Sequence, residues 1–154
     1  MNDFQDPNFT FKKSTVEDKI QLVKINGKKL PLPSEIEISE SGTCNRSCSF
    51  CPRSAPDFID KKEFISNDLI SKLCEELKKF NYTGTIRFSG FVEPLIDKNI
   101  YNLINKVRTN LKNANIELVT NGDPLNKSRL IKLFENGLNR ILISVYDGEE
   151  DYNR

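Results

Sequence analysis

Strand-like and helix-like segments alternate along most of this chain, and that alternation limits its fold more than any other feature. Short apolar segments rich in β-branched and aromatic residues are followed by longer segments whose apolar residues recur at helical spacing. Four strands separated by three helices predict βαβ units and a parallel sheet, so we predict an α/β fold. The strand-like segments are 35–39, 85–91, 116–122 and 140–148, and the helix-like segments are 66–80, 98–111 and 127–137.

The N-terminal part of the chain does not share this alternation. Residues 1–19 are polar and lack a sustained period. Asn26-Gly27 then separates two β-prone segments, which predicts a tight hairpin turn. We therefore predict an N-terminal extension with a β-hairpin over residues 1–33 and a core domain over residues 34–154.

Charge and composition exclude several classes of function. Lys plus Arg (23) nearly equals Asp plus Glu (22), so the charge indicates neither nucleic acid nor a membrane as partner. The N-terminus lacks the apolar core of a signal peptide, and no apolar run of about 18 residues occurs. We expect a cytoplasmic protein whose cysteines serve as ligands, catalysts or core residues. With no histidine in the 154 residues, imidazole-based acid/base catalysis and imidazole-bound zinc are excluded.

A polar motif follows each predicted strand. The first strand is followed by "TCNRSCSFCPR", and the later strands end in "SGFVEP", "TNGDP" and "SVYDG". Because active sites of parallel α/β folds form at the carboxyl ends of the strands, these four motifs predict a single working face.

Three cysteines in the first motif suggest metal chemistry. Cys44, Cys48 and Cys51 lie within eight residues. A four-iron cluster held by only three cysteines keeps one iron open to a ligand from outside the protein. A zinc site completed by a distant residue is an alternative, and a redox pair of Cys48 and Cys51 would leave Cys44 unexplained. Cys74, in the apolar stripe of the first helix, is predicted to be a core residue.

The cysteine spacing and the later strand ends together resemble the radical S-adenosylmethionine (radical SAM) superfamily. The spacing C-x3-C-x2-C, with Phe50 before the last cysteine, is similar to the family's cluster motif. "SGFVEPL" resembles the family's Gly-Gly-Glu-Pro segment, with Val92 where a second glycine is usual. "VTNG" and "ISVYDG" resemble its third and fourth strand ends, so the resemblance covers about residues 35–148.

The resemblance implies two cofactors, a [4Fe-4S] cluster and S-adenosylmethionine. The cluster would be held by the three cysteines of the first motif, and S-adenosylmethionine would chelate the open iron. Glu93 would receive the amino group of the cofactor, Ser89 and Gly90 would allow close backbone approach, and the backbone at Phe50 would meet adenine. Neutral hydrogen-bond partners for hydroxyls or carboxylate would come from Asn121 and Ser144.

The resemblance also implies an enzyme. It would cleave S-adenosylmethionine reductively to a 5′-deoxyadenosyl radical, which abstracts hydrogen from a small-molecule or peptide substrate, and it would need an external electron donor. The alternative is a non-catalytic iron–sulfur or zinc-binding module that acts with a partner chain.

Four strands are fewer than the resemblance implies. The family's barrel generally has six βα units, so we predict a partial (β/α) barrel truncated after the fourth strand. We expect a fragment of a longer enzyme. Half of a split enzyme, completed by a second chain, and a self-paired oligomer are the alternatives.

Overall fold

A computed structural model describes residues 20–145 and contains a hairpin followed by alternating strands and helices. Short 3₁₀ turns occur at Pro52–Ser54 and Pro94–Ile96. The strands are β1 (Leu22–Ile25), β2 (Lys28–Pro31), β3 (Glu35–Ile38), β4 (Thr85–Phe88), β5 (Asn115–Thr120) and β6 (Arg140–Ile143), and the helices are α1 (Asn67–Lys78), α2 (Ile100–Asn110) and α3 (Lys127–Glu135).

The main sheet is parallel and has the strand order β3-β4-β5-β6. Each neighbouring pair is parallel and follows chain order, with a helix in each of the three connections. The predicted α/β class and parallel sheet are therefore confirmed. The four described strands form an open sheet, consistent with a partial barrel.

One face of the sheet packs against the helices. Because side chains alternate along a strand, Ile86 and Phe88 of β4 share this face with Ile116 and Leu118 of β5. All four are at most 1% exposed. The helices bury matching stripes on the same core, as their apolar spacing predicts. The stripe residues are Ile70, Cys74 and Leu77 of α1 and Ile100, Leu103, Ile104 and Val107 of α2.

The opposite face carries a row of charges across the sheet. Arg87 of β4, Glu117 of β5 and Arg140 of β6 are direct register neighbours. Glu117 is 1% exposed and accepts hydrogen bonds from both arginines, with 2.9 Å between its Oε2 and Nη2 of Arg87. Arg87 also pairs with Glu35 of β3. The two arginines give this buried carboxylate the hydrogen-bond partners that offset its loss of contact with water.

Every predicted strand and helix of the core is present, but the predicted segments were too long. The strand predicted over 85–91 ends at Phe88, and that over 116–122 ends at Thr120, because the glycine-bearing motifs turn away from the sheet. Ser66 caps α1, since its hydroxyl accepts a hydrogen bond from the Leu69 amide. Residues 146–148 of the last predicted strand lie outside the described residues, as do residues 1–19.

The predicted N-terminal hairpin is present. Asn26 and Gly27 both have positive φ angles (51° and 78°), the combination that favours Asn-Gly in a two-residue hairpin turn. The hairpin contacts the core through Gln21, whose amide donates to the Phe80 carbonyl at 2.6 Å. Among the described residues, no helix is both long and apolar enough to cross a bilayer.

Truncation of a core side chain on β5 should destabilise the fold. Leu118 is 0% exposed, so Leu118→Ala removes buried methyl groups and should lower the free energy of unfolding by about 3 kcal/mol. Leu142→Ala on β6, where the side chain is 38% exposed, is the control and should have a much smaller effect. Urea unfolding midpoints measure both, and equal shifts for the two variants would contradict this placement of the core.

Candidate functional site

The nine residues predicted for the site line one cavity of about 260 Å³ at the carboxyl ends of the strands. They come from four separate segments of the chain, which only the parallel sheet brings together. Their individual roles toward a cofactor remain predictions. They are Cys44, Cys48, Phe50, Cys51, Ser89, Gly90, Glu93, Asn121 and Ser144.

The cysteine loop follows β3 and is held by local hydrogen bonds. The Cys51 amide donates to the Cys48 carbonyl at 2.9 Å, and the Ser54 hydroxyl donates to the Cys51 carbonyl at 2.8 Å. The three cysteines are partly exposed and form no disulfide, and Phe50 is exposed. All three cysteines border the cavity, on a loop whose backbone is held by hydrogen bonds.

The end of β4 lies beside the cysteine loop. The Ser89 amide donates to the Ile38 carbonyl at 3.1 Å, which continues the β3–β4 pairing. Gly90 has a φ of +122°, and a Cβ there would lie 2.1 Å from Oγ of Ser39. The positive φ and the close Ser39 side chain together explain why glycine occupies this turn.

Glu93 joins the ends of β4 and β5. Its carboxylate accepts from the Leu95 amide at 3.0 Å, the Thr120 hydroxyl at 2.6 Å and the Asn121 amide at 2.7 Å. The residue is 1% exposed, so the carboxylate belongs to the cavity wall. Sequence reasoning assigned it to the cofactor alone and missed this structural role.

The ends of β5 and β6 complete the cavity. The side-chain nitrogen Nδ2 of Asn121 donates to Oδ1 of Asn45 at 2.8 Å and lies 3.9 Å from Sγ of Cys44. The Ser144 amide donates to the Thr120 carbonyl at 2.8 Å. The third strand end therefore contacts the cysteine loop directly.

Two arginines of the cysteine loop were missed by sequence reasoning. Arg53 donates to the carbonyls of Gly42 and Phe91 (3.2 and 3.0 Å) and pairs with Asp60, with its side chain 6% exposed. Arg46 makes a two-pronged ion pair with Asp123, with 2.7 Å between its Nε and Oδ2. Charged residues inside a ligand loop were the available signal for both.

The Arg46 guanidinium also acts on the ionisation of Asp123. Its hydrogen bonds hold the pKa of the Asp123 carboxyl below its usual range. Asp123 is therefore a carboxylate at neutral pH. Its ion pair joins the cysteine loop to the turn after β5.

Two further acidic side chains, Glu40 and Asp97, are buried, and Glu40 interacts electrostatically with Glu93 of the site. Glu40 is 0% exposed and Asp97 is 6% exposed. Within the described part of the chain, Oε2 of Glu40 and Oδ2 of Asp97 have no hydrogen-bond partner. Burial raises the pKa of Glu40 from 4.5 to about 7, and Asp97 and Glu93 add repulsion. Burial likewise raises the pKa of Asp97.

The donor atoms of the cysteine loop are of the kind that iron–sulfur clusters use. Across residues 20–145, no group of three or more Cys, Asp or Glu side chains is already placed to hold a metal ion. The three cysteines border a shared cavity, and the Arg46 backbone amide donates to Sγ of Cys44 at 3.4 Å. Cysteine thiolates are the usual ligands of iron–sulfur clusters, and hydrogen bonds to their sulfurs are part of such sites.

Comparison with known proteins decides the family. The model of the radical SAM superfamily matches residues 38–154, which include the cysteine loop and the four strand ends. The chain belongs to the radical SAM superfamily.

Individual radical SAM relatives agree with this assignment. The chain is 32% identical over 115 residues to an S-adenosyl-L-methionine-dependent 2-deoxy-scyllo-inosamine dehydrogenase of Niallia circulans. It is 28% identical over 115 residues to a GTP 3′,8-cyclase of Mesorhizobium japonicum. These alignments cover 75% and 73% of this chain but 46% and 34% of the relatives.

The fold is similar to that of a solved radical SAM protein. The crystal structure of BtrN in complex with AdoMet and 2-DOIA superposes with a TM-score of 0.71 at 30% identity, covering 76% of this chain and 47% of BtrN. An open conformation of BtrN gives a TM-score of 0.68. The chain thus spans about half of BtrN, and its part of the radical SAM core is the first part.

Protonation of the buried Glu40 should make the stability of the fold depend on pH. The pKa of Glu40 is about 7 in the folded state, above its ordinary value of 4.5. The contribution of the protonated Glu40 side chain to the free energy of unfolding is therefore fully present below pH 4.5 and is lost as the pH rises through about 7. Between pH 5 and pH 8 the free energy of unfolding should fall by roughly 2–3 kcal/mol from this group.

The glutamine side chain in Glu40→Gln cannot ionise, so this variant should lose most of the decrease in the free energy of unfolding between pH 5 and pH 8. Urea unfolding at the two pH values measures that decrease. Glu76→Gln, on the exposed part of α1, is the matched control and should keep the fall seen in the wild type. An unchanged pH dependence in Glu40→Gln would contradict a protonated Glu40.

Proposed function

We propose that this chain carries the cluster-binding part of a radical SAM enzyme. Cys44, Cys48 and Cys51 would hold a [4Fe-4S] cluster, and the remaining iron would bind S-adenosylmethionine. The chemistry supplied by these cofactors is one-electron cleavage of a carbon–sulfur bond of S-adenosylmethionine, giving methionine and a 5′-deoxyadenosyl radical that abstracts hydrogen from a substrate.

The work of the protein in this proposal is to bind and orient. Gly90 borders the cavity, and its backbone would allow the cofactor to approach the end of β4 closely. Oε2 of Glu93 accepts one hydrogen bond, from the Asn121 amide, and a carboxylate oxygen can accept a second, so it can also receive an ammonium group. Asn121 and Ser144 would contribute neutral hydrogen-bonding groups from the far side of the cavity.

One observation carries the proposal. Residues that are up to 100 positions apart in the chain, from Cys44 to Ser144, line a single cavity at the carboxyl edge of the sheet. Such convergence of thiol, carboxylate, amide and hydroxyl groups is the arrangement that the chemistry of two adjacent cofactors requires.

A small molecule is the substrate class that the relatives favour. The names of the two relatives refer to an inosamine and to GTP, both small molecules. We propose a small-molecule substrate, with a peptide as the alternative. An external electron donor would supply the electron, and the part of the relatives beyond this chain's match, or a second chain, would complete the substrate side of the cavity.

Substitution of the three cysteines tests the cluster. Cys44→Ser, Cys48→Ser and Cys51→Ser should each abolish most iron uptake on anaerobic reconstitution, because each removes one of the three thiolates that would hold the cluster. Cys74→Ser is the matched control: this cysteine is buried in the α1 core and should leave the iron content unchanged.

Iron and sulfide per chain, together with 5′-deoxyadenosine released after reduction with dithionite, are the measurements. A wild-type chain with four irons that cleaves S-adenosylmethionine agrees with the proposal. A wild-type chain that takes up zinc but no iron would overturn it and favour the zinc-binding module. Four irons without 5′-deoxyadenosine would favour the non-catalytic iron–sulfur module.

A further inference from the structure

Asp123 is the meeting point of the cysteine loop and the turn that follows β5. Its carboxylate accepts hydrogen bonds from two guanidinium nitrogens of Arg46 and from the side-chain Nδ2 of Asn45, the last at 2.8 Å. Its own backbone amide donates to Oδ1 of Asn121 at 3.0 Å. One carboxylate thus holds two consecutive residues of the loop, and its backbone orients a third residue across the cavity.

The groups held by Asp123 are those that face the Cys44 sulfur. The Arg46 backbone amide donates to Sγ of Cys44 at 3.4 Å, and Nδ2 of Asn121 lies 3.9 Å from the same atom. Nδ2 of Asn121 also donates to Oδ1 of Asn45. Residues held by Asp123 thus supply both of these nitrogen contacts to the first cysteine.

We propose that Asp123 is a positioning residue that fixes the loop from Cys44 to Cys48 on the end of β5 and thereby keeps Cys44 in place as a ligand. The inference rests on the proposed function for its link to iron, while the attachment of the loop stands on the contacts alone. Residues outside the ligand shell that orient a ligand commonly change metal affinity by roughly 10- to 100-fold when removed.

The position of the ion pair separates local positioning from overall stability. The side chains of Arg46 and Asp123 are 18% and 34% exposed, so the pair itself contributes little to global stability. The double substitution Arg46→Ala/Asp123→Ala leaves the net charge of the chain unchanged. Its effect should therefore appear in the loop and at the metal, with only a small shift of the urea unfolding midpoint.

A matched control pair exists on α1. Glu76 and Lys79 form an exposed ion pair with side chains 56% and 62% exposed, away from the cysteine loop. Glu76→Ala/Lys79→Ala also removes one acidic and one basic side chain, so it too leaves the net charge unchanged. Amide exchange in the cysteine loop and the rate of iron removal should both stay at their wild-type values in this control.

The first measurement is amide hydrogen exchange of the 154-residue chain without iron. The protection factors of the amides at positions 46 and 123, which correct for the intrinsic exchange rate of each side chain, should fall several-fold in the Arg46→Ala/Asp123→Ala variant and keep the wild-type value in the control. Unchanged protection factors at both amides would overturn the inference, whatever the chain does with iron.

The second measurement is the rate at which a chelator removes iron from the anaerobically reconstituted chain. Removal from the variant should be roughly 10- to 100-fold faster than from the wild type and the control. Equal rates would overturn the inference even where the proposed function holds. A wild-type chain that takes up no iron would instead refute the proposed function, and the exchange result would still decide whether Asp123 holds the loop.

Discussion

Parallel pairing of neighbouring strands brings the carboxyl ends of β3, β4, β5 and β6 to one edge of the sheet, and the site depends on that alignment. It places Cys44 beside Asn121, although 77 positions separate them in the chain. The alignment in turn depends on the apolar face of the sheet, where the strand residues pack against α1 and α2. Burial of that face is the main favourable contribution to the fold.

Polar side chains then fix the strand ends to each other. Glu93 joins the ends of β4 and β5, Arg53 joins the cysteine loop to the turn after β4, and Asp123 joins the same loop to the turn after β5. All three join segments distant in the chain, so the cysteine loop is held on two sides. A loop that is fixed before the cofactors bind needs less ordering at the moment of binding.

The sequence was sufficient for the α/β class, the parallel sheet and nine of the residues that line the cavity, because strand-end motifs and apolar periodicity are local signals. It was insufficient for the contacts between motifs. The burial of Glu117 between Arg87 and Arg140 depends on strand register, which periodicity does not give. The partners of Arg46 and the burial of Glu40 are likewise consequences of tertiary packing. The strand ends were placed too far along because glycine turns such as that at Gly90 interrupt pairing within an otherwise strand-like segment.

The central claim of this account is that three cysteines hold a cluster whose fourth iron binds S-adenosylmethionine. Electron–nuclear double resonance of the reduced, reconstituted chain tests it most directly, with S-adenosylmethionine that carries ¹⁵N in its amino group. The account predicts a ¹⁵N hyperfine coupling that is lost when unlabelled cofactor replaces the labelled one. A cluster signal that is the same with and without the labelled cofactor, and shows no ¹⁵N coupling, would contradict it.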